Sequence, residues 1–235
     1  MDYKDKDYFK GGAQEHFWFK AKADLISILL SKVSNNKSCT ILDVGAGSGD
    51  DLNVIKNFGA VYALDCEQRA LDLISDHAVY EKKLGDVCAM PYADKQFDIV
   101  VAFDLLEHIP DHVQAVKEIN RVLKPGGYFV ITVPSYNSLF SQHDRELGHV
   151  RRYNKKLLAQ LMQGFEQNKR GYWLCAFFIP AIMQHFFIRN HAGLFKVRLF
   201  NSLAYGIMSA ENWLIKRNVP LPWGLSLFGI YQKKL

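Results

Sequence analysis

Three glycines in the segment ILDVGAGSGD (41–50) could cradle a nucleotide-like ligand. The segment follows an apolar run and precedes an amphipathic one, so the loop is expected between a strand and a helix. Glycine lets the backbone turn tightly and approach a ligand, while a helix start offers free N–H groups. The glycines are Gly45, Gly47 and Gly49, and Asp50 stands where a dinucleotide fingerprint has its third glycine. A carboxylate there disfavours a pyrophosphate and tolerates a cofactor with an amino-acid end.

Two further acids follow the next two predicted strands. Asp65 ends the run VYALD, and Asp86 follows the strand after it. A carboxylate at the end of the second strand can accept hydrogen bonds from both hydroxyls of a ribose. Strand-end aspartates also cap turns. However, three acids in this order beside GAGSG favour a ligand site in the crevice at the strand ends.

The segment SQHDRELGHVRRY (141–153) carries the side chains best suited to bind and act on a substrate. His143 or His149 could remove a proton, because imidazole titrates near neutral pH. Arg151 and Arg152 could grip a phosphate or carboxylate, with Tyr153 beside them. Alternatively, the arginines and Asp144 form ion pairs that only order the loop.

The chain alternates short apolar runs with amphipathic stretches from residue 39 to residue 134. This alternation predicts an α/β fold with a doubly wound, mostly parallel sheet. We expect seven strands, preceded by a helix over 13–34. The sixth strand is expected over Tyr172–Ile179, and after a helical insert the last strand, near 225–232, is expected to pair antiparallel with it.

Composition narrows the class of protein. The 235 residues are 49% hydrophobic and 23% charged, as in globular proteins. Four cysteines show no metal-binding spacing, and no signal-peptide pattern opens the chain, so we expect a soluble, cytoplasmic protein without a metal site.

Residues 1–150 carry 16 basic and 22 acidic side chains, a net charge of −6, whereas residues 151–235 carry 13 and 2, a net charge of +11. The basic part is expected to meet an anionic partner, or else to form a solvated face.

The quoted motifs resemble those of class I S-adenosylmethionine-dependent methyltransferases, of the type 11 kind. The matching stretches are ILDVGAGSGD (41–50), ALDCEQRAL (63–71), GDVCAMPYADKQFDIVVAFDLLEHIPD (85–111) and RVLKPGGYFVITVP (121–134). The resemblance implies a seven-stranded Rossmann-like sheet with an antiparallel last strand. It also implies S-adenosyl-L-methionine as cofactor and S-adenosyl-L-homocysteine as product.

The resemblance also implies roles for particular residues. The glycine loop would hold the methionine part of the cofactor, Asp65 the ribose, and Asp86 the adenine amino group. Side chains at the end of the fourth strand would lie along the methionine. His108 would be nearby, although it could equally cap a turn. The implied cofactor residues are Asp43, Gly45, Ala46, Gly47, Gly49, Asp65, Cys66, Asp86, Val87, Phe103, Asp104 and His108.

We expect one domain with three parts. Residues 1–38 would form a helical lid carrying the HFWF element, residues 39–134 the cofactor core, and residues 135–235 the acceptor loop, the insert and the last strands.

The expected acceptor is a small-molecule, glycan or lipid-linked anion that is methylated on oxygen or nitrogen. Weak contact of the protein with a membrane surface is an alternative that the sequence leaves open. A nucleic-acid acceptor is disfavoured, because FDLLEHIP replaces the Asn/Asp-Pro-Pro-aromatic motif of base-amine methylases. The alternatives are an NAD-dependent oxidoreductase and a cofactor-binding regulatory protein without catalysis.

Overall fold

A computed structural model describes residues 16–34, 39–187 and 198–235. Seven strands form one sheet: β1 (Cys39–Val44), β2 (Gly59–Asp65), β3 (Glu81–Leu84), β4 (Phe97–Phe103), β5 (Leu123–Pro134), β6 (Phe165–Trp173) and β7 (Ser226–Lys233). The helices are α1 (Phe17–Leu30), α2 (Leu52–Ile55), α3 (Gln68–Leu71), α4 (His112–Val122), α5 (Gln142–Glu146), α6 (Lys155–Leu161), α7 (Phe178–Phe187) and α8 (Arg198–Lys216).

The sheet has the strand order β3-β2-β1-β4-β5-β7-β6. The pairs β1–β2, β2–β3, β1–β4 and β4–β5 are parallel. Strand β7 lies between β5 and β6 and runs antiparallel to both. The predicted α/β class, the seven strands and the antiparallel last strand are therefore confirmed. The carboxyl ends of β1, β2 and β4 meet at one edge, where open α/β sheets bind ligands.

Both faces of the sheet are buried, as its uninterrupted apolar strands predict. Strand β4 shows this directly, because Ile99 and Val101 belong to one apolar cluster and Val100 and Ala102 to the other. The first cluster also contains side chains of α1 and α8, and the second contains side chains of α4 and α6. The two clusters thus pack against opposite faces of the sheet that carries the ligand edge.

The sixth strand lies earlier than predicted. Strand β6 covers Phe165–Trp173, whereas most of the expected strand, Tyr172–Ile179, forms a turn and the start of α7. The prediction was wrong because it followed hydrophobicity, and β6 is an edge strand with a polar sequence, FEQNKRGYW. The chain then turns at Leu174, whose φ of 62° ends the extended run.

The helices also differ in extent from the sequence pattern. The stretches after β1 and β2 form only single α-helical turns, α2 and α3. The N-terminal helix is confirmed over Phe17–Leu30, while residues 13–15 of the predicted span lie outside the described residues. The insert contains α7 and α8, and its residues 188–197 also lie outside them. Within the described ranges, no helix combines the length and apolar character needed to cross a bilayer.

Candidate active site

The glycine loop turns sharply at the carboxyl end of β1. Gly45, Gly47 and Gly49 have φ angles of 75°, 53° and 83°, which favour glycine. A Cβ on Gly45 would lie 2.6 Å from a methyl carbon of Leu105, so a side chain at this position would have to displace Leu105. A Cβ on Gly47 would meet no atom within 4 Å, so Gly47 borders open space. The backbone N–H groups of Gly45 and Ala46 donate to the carbonyl oxygen of Leu64 and hold the loop against β2.

Asp65 joins the glycine loop to the end of β2. One carboxylate oxygen accepts a hydrogen bond from the N–H of Gly47 at 2.8 Å, and the other accepts from the N–H of Glu67 at 2.9 Å. An ionised carboxylate has about four acceptor positions, so two remain for further donors. The half-buried Asp65 side chain can thus brace the loop and still accept from ligand hydroxyls.

The next predicted group lies beyond β3. Asp86 is exposed, and its carboxylate accepts from the N–H of Cys88 at 2.8 Å, which shapes the turn. Val87 beside it is buried. Cys66 is exposed at the end of β2. Cys66 thus follows β2 directly, and Asp86 and Val87 follow β3.

Lys22 is the principal residue that the sequence analysis missed. It lies on the buried face of α1, and its ammonium group contacts the carboxylates of Asp51 and Asp104 at 3.0 Å each. The residue is only 8% exposed. Burial opposes its charge, but the two carboxylates outweigh this and raise the pKa of Lys22 above its usual value. A lysine among the apolar positions of a helix was the available signal. No sequence pattern pointed to its partners.

Asp104 and Asp43 complete the acidic wall of the crevice. Asp104 holds a left-handed φ of 54° and accepts a hydrogen bond from the hydroxyl of Thr132 at 3.0 Å. Asp43 is buried at the end of β1, and burial together with the charges of Asp51 and Asp65 raises its pKa to about 8. Asp43 is therefore mostly protonated at pH 7, and the negative charge of the crevice comes from Asp65 and from the excess of Asp51 and Asp104 over Lys22, which disfavours a pyrophosphate. Phe103, the last residue of β4, is buried, and its ring centre lies 6.0 Å from the ammonium group of Lys22.

The HFWF element brings aromatic rings to the same crevice. The ring of Phe17 stacks on Phe177 at 5.5 Å, which is the core packing expected of an apolar helix face. The Trp18 ring lies 5.2 Å from the ammonium group of Lys22. Trp18 is therefore the member of this element that borders the Lys22–Asp104 pair.

The 141–153 segment is organised around Asp144, which is 1% exposed. Its carboxylate accepts two hydrogen bonds from the guanidinium group of Arg152, at 2.8 and 2.9 Å, and contacts Nδ1 of His149 at 2.9 Å. It also accepts from the N–H and hydroxyl of Ser141. Burial opposes ionisation, but these donors outweigh it and lower the pKa of Asp144 below its usual value.

The remaining predicted acceptor residues differ in their surroundings. The guanidinium group of Arg151 donates to the carbonyl oxygens of Ile109 and Pro110. The Tyr153 ring is fully buried, and its hydroxyl donates to the carbonyl oxygen of Leu106 at 3.0 Å. This geometry favours the alternative in which both arginines order the loop. It gives Tyr153 no surface for contact with an acceptor.

The two predicted catalytic histidines are placed differently. His143 is exposed on α5, away from the buried cluster around Asp144. The ring of His149 lies edge-on to that of His108, with centroids 4.7 Å apart. Burial and the neighbouring His149 lower the pKa of His108 to about 4. Of the two predicted histidines, therefore, His149 is the one that lies against His108 in the loop after β4.

The comparisons with known proteins agree with this geometry. Residues 42–131 match a family model described as a methyltransferase domain. A protein of Mycolicibacterium smegmatis named a probable S-adenosylmethionine-dependent methyltransferase is 28% identical over 170 residues, which are 66% of this chain and 62% of that protein. Demethylmenaquinone methyltransferase of Alkalihalophilus pseudofirmus is 33% identical over 116 residues, which are 42% of this chain and 49% of that protein. The matches thus span about half to three fifths of these relatives.

A solved structure extends the likeness beyond the cofactor core. Phosphoethanolamine N-methyltransferase 2 of Haemonchus contortus, in complex with phosphomonomethylethanolamine and S-adenosylhomocysteine, is similar with a TM-score of 0.60 and 17% identity. The match covers 90% of this chain and 52% of that chain, and at this identity it shows the fold alone. The sheet order, the glycine loop and the match over 42–131 lead to one assignment. Residues 42–131 carry a methyltransferase domain, and the chain resembles S-adenosylmethionine-dependent methyltransferases in sequence and in fold.

Proposed function

We propose that this protein transfers the methyl group of S-adenosylmethionine to an oxygen or nitrogen atom of an acceptor held against the 141–153 segment. The observation that carries the proposal is the acidic crevice at the ends of β1, β2 and β4, which adjoins His108 and His149. A sulfonium is cationic and already carries a good leaving group, so the protein mainly needs to align three atoms. An NAD-dependent reaction is disfavoured, because Asp50 and Asp51 follow the glycine loop where a pyrophosphate would need free donors.

The cofactor arrangement follows from these positions. The methionine part would lie between the glycine loop, Asp43 and the end of β4, where Phe103 and Asp104 stand. The ribose would take the two acceptor positions left on Asp65. The adenine would lie beside Cys66, Asp86 and Val87. In the lid role predicted for α1, Trp18 would cover this crevice and exclude water.

Changing Asp65 to alanine tests the cofactor site. The variant should bind S-adenosylmethionine roughly 10- to 150-fold more weakly, a loss of about 1.5–3 kcal/mol, because hydrogen bonds to a charged group are lost. Isothermal titration with S-adenosylmethionine, S-adenosylhomocysteine and NAD measures this directly. Asp72→Ala, an exposed carboxylate just after α3, is the matched control and should bind like the wild type. Equal binding by Asp65→Ala would contradict the ribose assignment, and tight NAD binding would contradict the proposed reaction.

We propose that the acceptor combines an anionic group with an apolar portion. The part of the chain after residue 150 carries the net charge of +11, and α7 and α8 expose large apolar side chains. A relative is named for its action on demethylmenaquinone, and the solved neighbour binds a phosphate ester. The apolar side chains concerned are Ile179, Met183, Leu203, Ile207 and Trp213. They would meet a lipid chain or the surface of a membrane.

Placing charges on this apolar surface tests that idea. Ile179 and Met183 lie one turn apart on α7 and are 58% and 54% exposed, so changing both to aspartate should leave the fold intact. Flotation with vesicles of anionic phospholipid should show a severalfold loss of bound protein, because apolar contact and charge attraction both weaken. A single Leu73→Asp change, at a side chain 54% exposed elsewhere, should have little effect. Equal flotation of all three proteins would place the apolar portion of the acceptor elsewhere.

Of the two predicted catalytic histidines, we assign acceptor activation to His149. The His149→Ala variant should lower kcat about a hundredfold, the usual effect of losing a group that assists proton removal. A panel of phenolic, phosphate-bearing and quinol acceptors, assayed by formation of S-adenosylhomocysteine, would first identify a substrate. His143→Ala should then retain most of the turnover. If His143→Ala lowered kcat more than His149→Ala does, acceptor activation would belong to His143.

A further inference from the structure

Three potential ligand atoms converge beside the end of β4. One carboxylate oxygen of Glu107 and one ring nitrogen each of His108 and His149 lie within 4.8 Å of one another. In a bound zinc site such atoms are about 2.1 Å from the ion and, in tetrahedral geometry, roughly 3.4 Å from one another. Side-chain rotations that bring the atoms closer together by up to roughly 1.4 Å would reach this spacing.

The backbone and a buried carboxylate hold this cluster in place. The N–H of Val150 donates to the carbonyl oxygen of Glu107 at 2.8 Å, which ties the 141–153 segment to the loop after β4. Nδ1 of His149 is engaged with Asp144, so Nε2 is the nitrogen left for a ligand. Metal-binding histidines almost always have their second ring nitrogen held by a carboxylate, a carbonyl or water, which fixes the ring orientation.

Glu107 supplies an independent sign of a missing partner. The residue is 1% exposed, and among the described residues no donor reaches its oxygen Oε2. A buried polar atom without a partner is costly and rare in folded proteins. Oε2 of Glu107 therefore lacks a partner within the described residues. A cation between the three side chains would satisfy it.

We propose that Glu107, His108 and His149 bind a divalent transition-metal ion of the zinc class, which the sequence analysis did not predict. Two imidazoles and one carboxylate suit zinc, cobalt, iron or manganese, whereas magnesium and calcium prefer oxygen ligands. With three protein ligands, such an ion keeps an open position, as catalytic zinc sites do. The cluster begins three residues after Asp104, so that position adjoins the crevice.

This inference deepens the proposed function and, for its catalytic consequence, rests on it. An acceptor hydroxyl bound at the open position would lose its proton to water, because the ion lowers its pKa. The oxygen lone pair then forms a bond to the methyl carbon of the sulfonium. The carbon–sulfur bond breaks, and its electron pair stays on sulfur as the thioether of S-adenosylhomocysteine. His149 would then act as a metal ligand and would not itself receive the proton.

Metal binding can be measured without cofactor or acceptor. The full chain, purified without a histidine tag and treated with a chelator, is titrated with Co²⁺ and followed by its visible absorption. We expect one equivalent to bind, Zn²⁺ to displace it, and Zn²⁺ to raise the Tm. Glu107→Gln keeps the side-chain shape and, like His149→Ala, should weaken Co²⁺ binding at least tenfold. His77→Ala, at an exposed histidine outside the cluster, should bind Co²⁺ like the wild type.

The outcomes separate the two proposals. If the wild type takes up no stoichiometric Co²⁺, or if His77→Ala loses as much affinity as Glu107→Gln, the metal site is wrong. Circular dichroism of each variant shows whether a loss reflects unfolding, and His108→Asn provides a second test within the cluster. Full methylation after chelation would overturn the catalytic role of the metal and leave the proposed function standing. Stoichiometric Co²⁺ binding without any turnover would support the site and count against the proposed function.

Discussion

Replacing Lys22 with methionine is expected to lower the free energy of unfolding by about 3 kcal/mol, because it removes one partner of a buried ion-pair network. The ammonium group contacts both Asp51 and Asp104 at 3.0 Å, and methionine fills similar volume without the charge. Two carboxylates would then face each other across the crevice without a cation. Urea unfolding at pH 7 measures the loss.

The matched control is Lys20→Met, because Lys20 is exposed on the same helix. It should change stability by less than about 0.5 kcal/mol, as surface substitutions usually do. Burial already raises the pKa of Asp51 above the unfolded value of about 3.9, and the loss of Lys22 removes a charge that lowers it. The free energy of unfolding lost in Lys22→Met should therefore grow as the pH rises above about 3.9 and should shrink in acid. Equal losses for the two lysine variants would show that the network contributes little.

Replacing Asp144 with asparagine is expected to cost a similar amount, about 3 kcal/mol, at the lower end of the range for broken buried pairs. The side chain of Arg152 is 16% exposed, so solvent can compensate its guanidinium group only in part for the lost carboxylate. Asparagine retains the shape and one acceptor oxygen, which isolates the effect of charge. Glu146→Gln, at an exposed acid of the same helix, is the matched control.

The stability lost in this second variant should also shrink in acid, because there the wild-type carboxylate itself becomes protonated. Arg152, His149 and Ser141 overcome the effect of burial and lower the pKa of Asp144. Its stabilisation is therefore complete above the unfolded pKa of about 3.9 and is lost as the pH falls through the lower folded pKa. The difference between wild type and Asp144→Asn should be full at pH 7 and should narrow below about pH 4. A constant difference across that range would contradict the assigned charge of Asp144.

Local sequence was sufficient to predict the elements of the cofactor core. The glycine loop, Asp65 and the buried strand β4 are each recognisable from residue type and short-range spacing, whereas the strand order was not predicted. Strand β6 was misplaced because an edge strand with one polar face carries little hydrophobic signal. Its true position depends on pairing with β7, more than fifty residues later in the chain.

The networks at the site could not be predicted for a related reason. Lys22 and Asp104 are separated by 82 positions, and no local pattern links a lysine on one helix to a carboxylate after a distant strand. The arginines of the 141–153 segment look like anion ligands by composition. The structure shows that these arginines already donate hydrogen bonds within the protein, Arg152 to Asp144 and Arg151 to two carbonyl oxygens. Residue type suggested the chemistry, but three-dimensional neighbours decide whether a side chain is available for it.

The position of β7 has a consequence for synthesis on the ribosome. This strand fills the gap between β5 and β6, which do not pair with each other. Until residues 226–233 have emerged from the exit tunnel, the nascent chain exposes an unpaired edge of β5, and β6 has no place in the sheet. Unpaired edges invite association with other chains, so this interval is the one in which chaperones would be needed. The seven-stranded sheet is therefore complete only when residues 226–233 have left the tunnel.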